Sequence, residues 1–243
     1  MGHGLRRSSA PRRLTVAVLL FDFFGTLVEY DASRTAQGYQ RTHAELTAIG
    51  VDLEYADFLM RWDDTAARFD AASEVDDHEF SMIELGTVFL REALGRTPST
   101  GEVDGVVASY LGEWNQGVHP IEGVPALLRS LVEHHRLAVV TNTHSPTLVP
   151  QHLSAMGVAD CFEVVITSVE VGWRKPHRAI YDATLAALRV DPAACTFVGD
   201  TRGPDYIGPR SMGMQAYLID PGARQSVPAD HLIESVLDLP ARL

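Results

Sequence analysis

Lysine is almost missing from this sequence: of its 20 cationic side chains, 19 are arginines and one is Lys175. Acidic residues number 32, and the formal net charge is −12. So few cations leave no basic face of the size that nucleic acid or an anionic membrane demands, and neither partner is expected. Cysteine is scarce as well. Cys161 and Cys195 stand far apart, outside any CxxC pattern and beside apolar neighbours. That points to buried thiols rather than a disulfide framework, and to the cytoplasm. No apolar run reaches the ~20 residues needed to cross a bilayer, and no internal repeat or low-complexity stretch is present.

What is there is ordinary globular material, 46% apolar and 21% charged. At 243 residues the chain suits a core domain carrying one inserted module. Residues 1–13 are basic and rich in Gly, Ser and Arg, and read as a disordered tail. With the apolar stretch 14–21 behind them they superficially resemble a secretory signal. Asp22 ends that stretch after eight residues, however, and no small-residue cleavage pattern follows. The stretch reads instead as a central parallel strand covered on both faces. The next comparable strand, 137–140, comes only far along the chain. After it the sequence alternates: helix 147–156, strand 162–167, helix 178–188, strand 196–198, helix 205–212, strand 215–219, then an amphipathic helix at 231–237. Such alternation predicts an α/β fold, a doubly wound parallel sheet. Residues 31–117 break the rhythm, with helical spacing at 39–49, 55–69 and 80–94. The predicted organisation is therefore a tail (1–13), a core (14–30 and 118–243) and an inserted α-helical cap (31–117) folding over the crevice.

In doubly wound sheets ligands bind at the carboxyl ends of the strands, where the strand order reverses. Polar residues end three of the predicted strands, namely Asp22, Thr141 and Asp200, and Lys175 follows a fourth by a short loop. Taken singly, Asp22 reads equally as a turn cap, and Asp205 as a helix cap. Together, three carboxylates facing one lysine leave roughly two uncompensated negative charges. At ~4–6 Å such crowding calls for raised pKa values or a bound cation. Oxygen ligands of this hardness suit Mg²⁺. Thr141 and Asn142 offer a hydroxyl and an amide to anionic oxygens, although such residues also serve turns for backbone reasons. A planar arginine fork could not imitate the compact ammonium of Lys175 in a tight pocket.

Four segments then stand out in order: Leu20-Phe21-Asp22-Phe23-Phe24-Gly25-Thr26-Leu27, Val139-Val140-Thr141-Asn142, Lys175-Pro176, and Val198-Gly199-Asp200 with Asp205. They resemble the four signatures of the haloacid dehalogenase superfamily, with the insertion lying where its first subfamily carries a helical cap. The resemblance implies a Rossmann-like core and a hydrolase acting on a small molecule. It implies Asp22 as nucleophile and metal ligand, with the Phe24 carbonyl and Asp200 completing the Mg²⁺ site. Asp205 would join that set by orienting it or Lys175. Thr141 and Asn142 would hold the transferred group, Lys175 would neutralise Asp22 and the substrate anion, and Thr26 would hydrogen-bond the turn.

One position departs from the pattern. Phosphatases of that family usually carry a second aspartate two residues after the nucleophile, as general acid and base, and this chain has Phe24. Losing such a group typically costs ~10²–10⁴ in rate. The dehalogenase branch also lacks it, because a halide leaves without a proton. That branch works without metal, lacks the acid found here at Asp200, and needs a cap arginine, for which Arg34, Arg41, Arg61 and Arg68 are available. The phosphonate-cleaving branch needs a cap lysine, and this insertion has none. His144 and Glu29 are candidate substitutes for the missing acid, each with an ordinary reading as a loop or entry residue. Arg61 and Trp62 lie on a predicted cap helix, where a tryptophan more often fills the core than meets substrate. The leading expectation is a Mg²⁺-dependent phosphatase of a small phosphorylated metabolite, working through an Asp22 phosphoryl-enzyme and fastest on aryl or acyl phosphates. A haloacid dehalogenase acting through an Asp22 ester, and a non-enzymatic protein retaining the site, are the alternatives.

Overall fold

The computed structural model describes residues 17–222 and 226–243, so the expected tail (1–13) and the first residues of the predicted strand lie outside it. The chain opens with strand β1 (Val18–Phe21) and a short strand β2 (Val28–Tyr30). Four helices follow: α1 (Gln40–Ala48), α2 (Tyr55–Asp76), α3 (Met82–Leu94) and α4 (Thr100–Trp114). Strand β3 (Val118–Pro120) returns antiparallel to β2, pairing Val28 with Pro120 and Tyr30 with Val118. The remainder alternates as α5 (Val124–Leu131), β4 (Arg136–Thr141), α6 (Leu148–Ala155), β5 (Phe162–Thr167), α7 (Ser168–Val171), α8 (Arg178–Leu188) and β6 (Cys195–Gly199). A π-helical turn (Arg202–Ile207), α9 (Gly208–Ser211), β7 (Gln215–Ile219) and β8 (Leu232–Ile233) complete it.

Six strands form one parallel sheet in the order β5-β4-β1-β6-β7-β8. The sheet is doubly wound, as predicted. Alternation along β1 explains the layering. Leu19 and Phe21 face a cluster with Leu128, Val149 and Leu153, while Val18 and Leu20 face Ile180, Tyr181 and Phe197. Both faces are covered, which is why β1 reads as continuously apolar. The order reverses beside β1, between β4 and β6, so a crevice opens at their carboxyl ends. Helices α1–α4 pack around an apolar cluster of their own, in which Trp62, Phe58, Phe89 and Tyr110 meet edge to face or tilted. Serine caps with reciprocal glutamates start α3 (Ser81, Glu84) and α4 (Ser99, Glu102).

Two predicted helices are corrected. The helix expected at 205–212 is a π turn followed by a single turn of α-helix, with Pro204 and Pro209 interrupting regular hydrogen bonding. The amphipathic helix expected at 231–237 is instead strand β8 on the sheet edge and a 3₁₀ segment (Val236–Ala241) containing Pro240. Helices α4 and α5 were not anticipated. Cys161 and Cys195 are buried free thiols. Among the described residues no helix is long and apolar enough to cross a membrane.

Candidate active site

Asp22 continues β1 by one residue, its N–H donating to the Val198 carbonyl at 2.9 Å, and its carboxylate is nearly buried. The chain then turns sharply. Leu27 N–H reaches the Phe23 carbonyl and Gly25 N–H the Val28 carbonyl, both at 2.8 Å. Gly25 has φ +78°, and a Cβ there would run into the Asp200 carboxylate, so the glycine both makes the turn and clears the space. Thr26 departs from its expected role: its buried hydroxyl has no hydrogen-bond partner among the described residues, and the turn is closed by backbone hydrogen bonds.

Asp200 follows β6, and the π turn brings Asp205 back over the same strand end. Asp205 N–H donates to the Thr201 carbonyl (2.8 Å), and its Oδ2 accepts from Thr201 N–H (2.9 Å). Gly199 carries no Cβ that would overlap the Asp205 carboxyl. The other oxygen of Asp205 accepts from Lys175 Nζ at 2.7 Å, and Asp22 Oδ1 accepts from the same ammonium at 2.7 Å. The three aspartates offer carboxylate oxygens within 4.8 Å of one another. Lys175 itself is fully enclosed, 5.1 Å from the centre of the Phe197 ring.

Electrostatics follow from that enclosure. Burial alone would favour a neutral amine at Lys175, but Asp205 and Asp22 outweigh it and raise its pKa, so the ammonium persists. Burial, then the Asp22 charge, push Asp200 up to about 6. Asp205 is also raised, by burial and by Asp22, against the pull of Lys175. Three acids share one cation, and burial with so little positive charge nearby accounts for the raised values of Asp200 and Asp205. A divalent ion fits this donor set, hard oxygens around a space that Gly25 keeps open.

Asn142 is committed differently from the expectation. Its Oδ1 accepts from Lys175 N–H (2.7 Å) and its Nδ2 donates to the Lys175 carbonyl (3.0 Å), so the amide fixes the lysine's backbone. One amide hydrogen remains for the cavity. Thr141 contributes a buried hydroxyl with no hydrogen-bond partner among the described residues. These residues line one cavity of about 310 Å³, together with Phe24, Tyr30, Arg34, Trp114 and His144. A small metabolite fits that volume. Phe24 packs its ring against Phe23, Tyr30 and Trp114, with centroids 5.0–5.7 Å apart, so position 24 joins the turn to α4.

Of the four arginines considered for the insertion, Arg34 lines the cavity, paired with Asp70 at 3.0 Å. Arg41, Arg61 and Arg68 are exposed, and Glu29 faces solvent outside the cavity. Trp62 is fully buried in the helical cluster. Sequence reasoning missed Glu79, a side chain buried between α2 and α3. It binds His144 (3.1 Å), Ser168 (2.5 Å) and Arg174 (2.6 Å). Burial would raise its pKa, yet His144, Ser168 and Arg174 together hold it down at about 2.

The haloacid dehalogenase-like hydrolase family model matches residues 16–213. Among curated proteins, the haloacid dehalogenase-like hydrolase domain-containing protein 3 of Bos taurus is 33% identical over 126 residues, 49% of each chain. The match thus spans about half the length of that relative. The ribulose-1,5-bisphosphate 5-phosphatase of Halopiger xanaduensis is 21% identical over 234 residues, covering 91% of this chain and 96% of that protein. Among solved structures, a 2-haloacid dehalogenase from Pseudomonas syringae superposes with a TM-score of 0.73 at 21% identity, over 93% of this chain and 97% of the other.

Proposed function

The chain belongs to the haloacid dehalogenase-like hydrolases, and from that premise we propose that it is a Mg²⁺-dependent phosphatase of a small phosphorylated metabolite, acting through a phosphoryl group carried on Asp22. The observation that carries this reading is the grouping of buried Asp22 and Asp205 with half-buried Asp200 beside a single ammonium, too little positive charge to balance three carboxylates. A dehalogenase would have no use for that excess of carboxylate. The similar 5-phosphatase lends support from its own activity. The proposal includes the division of labour along the chain, with 14–30 and 118–243 as core and 31–117 as cap, and a cytoplasmic location.

In this reading Asp22, Asp200 and the Phe24 carbonyl hold Mg²⁺, which when bound neutralises the transferred phosphoryl oxygens. Asp22 attacks phosphorus, and Lys175, hydrogen-bonded to it, stays protonated and balances the charge of the substrate. Asp205 anchors Lys175, while Thr141 and the free amide hydrogen of Asn142 donate to the transferred group. Positioning and electrostatics supply most of the acceleration. Turnover across a panel of phosphorylated metabolites, with Mg²⁺ and with EDTA, tests it, and turnover indifferent to EDTA would count against it.

The metal also has a pH signature. Because Asp200 is raised to about 6 from its ordinary value, the folded metal-free protein holds an extra proton between those values. Its stability therefore falls as pH rises through that window. Mg²⁺ needs the ionised carboxylate, so the gain in Tm on adding Mg²⁺ should be small at pH 5 and larger at pH 7. Thermal scans at both pH values check this, and a pH-independent gain would speak against Asp200 as a ligand.

A second reading, carbon–halogen hydrolysis through an Asp22 ester, draws on Phe24 in place of the general acid and on Arg34 in the cavity. Halide release from 2-haloacids in the presence of EDTA would favour it.

A further inference from the structure

A phosphatase with phenylalanine at position 24 needs a proton donor for its leaving group from elsewhere. We infer that His144, oriented by Glu79, is that donor and then the base for the attacking water. The inference rests on the phosphatase reading above.

Two segments converge on the imidazole, residues 79–80 and Arg34. Its Nδ1 lies 3.1 Å from Glu79 Oε1 and 3.2 Å from the Phe80 carbonyl oxygen. Both neighbours are acceptors, so Nδ1 carries a hydrogen, and Nε2 is the ring nitrogen left for chemistry. Phe80 stacks on the ring, with centroids 4.1 Å apart and planes 17° from parallel. The backbone is pinned too, the His144 carbonyl accepting from Met82 N–H at 2.8 Å. Nε2 stands 3.4 Å from the Arg34 guanidinium, and both residues line the cavity that holds Asp22. The charged groups facing the ring are therefore Glu79 on one side and Arg34 on the other. Arg34 is offset by Asp70, and Glu79 is shared with Arg174 and hydrogen-bonded by Ser168. A buried carboxylate behind Nδ1 is the arrangement that general acid–base histidines use to fix tautomer and aim, and Nε2, on the cavity side, accepts from Arg34 when neutral and gives up that contact when protonated.

The proton balance closes. As Asp22 bonds to phosphorus, the ester P–O bond breaks, its electron pair stays on the leaving oxygen, and the Nε2 proton of the imidazolium passes to that oxygen. The product alcohol departs. Neutral His144 then takes a proton from water as the water oxygen attacks phosphorus and the Asp22 O–P bond breaks. Inorganic phosphate, the Asp22 carboxylate and the imidazolium are regenerated.

The test uses the full chain with Mg²⁺ and three phosphate monoesters: p-nitrophenyl, phenyl and ethyl phosphate. His144→Asn is expected to lower kcat/KM on ethyl phosphate by ~10²–10⁴ and on p-nitrophenyl phosphate by less than ~10-fold, since only the poor leaving group needs the proton. Adding Phe24→Asp to His144→Asn should flatten the dependence on leaving group again. Glu79→Gln acts through the histidine. Removing the negative charge behind Nδ1 should move the alkaline limb of the kcat/KM profile to lower pH by about one unit, which a purely structural residue would not do. Asp22-dependent turnover with equal losses on all three esters would overturn the donor role alone. Absence of any Asp22-dependent turnover would overturn the phosphatase reading, and this inference with it.

Discussion

Asp22→Asn is expected to reduce phosphatase turnover by on the order of 10⁴–10⁶-fold, the scale seen when a covalent nucleophile is removed. An amide is a poor nucleophile toward phosphorus and brings no charge to a divalent ion. The loss should fall on kcat more than on KM, because substrate contacts through Thr141, Asn142 and the cavity wall are untouched. It should also come without unfolding. Asp22 is one of three crowded carboxylates served by one ammonium, so neutralising it relieves repulsion on Asp200 and Asp205. The metal-free variant is accordingly expected to melt no lower than the parent, and the gain in Tm from Mg²⁺ should largely vanish. Rapid acid quench followed by peptide mass spectrometry should find phosphate on the peptide containing Asp22 in the parent and none in the variant. Full turnover in the variant would remove Asp22 from the mechanism.

The parts of this site that sequence makes legible are those fixed by local pattern. A buried apolar run ending in an acid marks β1 and Asp22, and the β–α alternation after residue 136 puts Lys175 and Asp200 after the successive strands β5 and β6. The strand order, with β4 and β6 flanking β1, then brings them to one crevice. What is not legible depends on contacts distant along the chain. Nothing near Glu79 announces that it will meet His144, 65 residues later, because the partnership exists only once the α2–α3 turn lies on the loop after β4. Glu79 closes the stretch Glu74-Val75-Asp76-Asp77-His78-Glu79, whose acids read together as a solvated helix end. Asn142 is a comparable case. Its residue type suggests an anion ligand, yet its bonds to Lys175 need a loop 33 positions away. Of the two predicted helices that fail, one has Pro209 inside a stretch whose apolar spacing alone reads as helical, and the other gives Leu232 and Ile233 to pairing with β7. Phe24 is legible as a departure and becomes explicable only in three dimensions, where its ring bridges the first turn to Trp114.

Lys175→Met is expected to be the most destabilising single change at the site. The ammonium is buried and bonded to two carboxylates at 2.7 Å, and methionine keeps the length of the stem while removing the charge. Breaking a buried ion pair by deleting one partner typically costs ~3–5 kcal/mol, because the remaining charge is left uncompensated. For a chain of this size each kcal/mol moves Tm by roughly 2–4 °C, so a fall of about 10 °C is expected at pH 7 without metal. The deficit has a direction in pH. Without the ammonium, Asp22 and Asp205 bind protons more readily in the folded state than in the unfolded one, so stability falls as pH rises and the deficit shrinks toward pH 5. Adding Asp205→Asn should recover a substantial part of the loss, since one stranded carboxylate disappears with it, and the size of that recovery measures the coupling. Lys175→Arg should not rescue, because a planar fork cannot occupy the space between Asp22, Asp205 and the Phe197 ring. A loss below ~1 kcal/mol, the range of ordinary substitutions, with no recovery from Asp205→Asn, would mean that the buried acids do not depend on this ammonium.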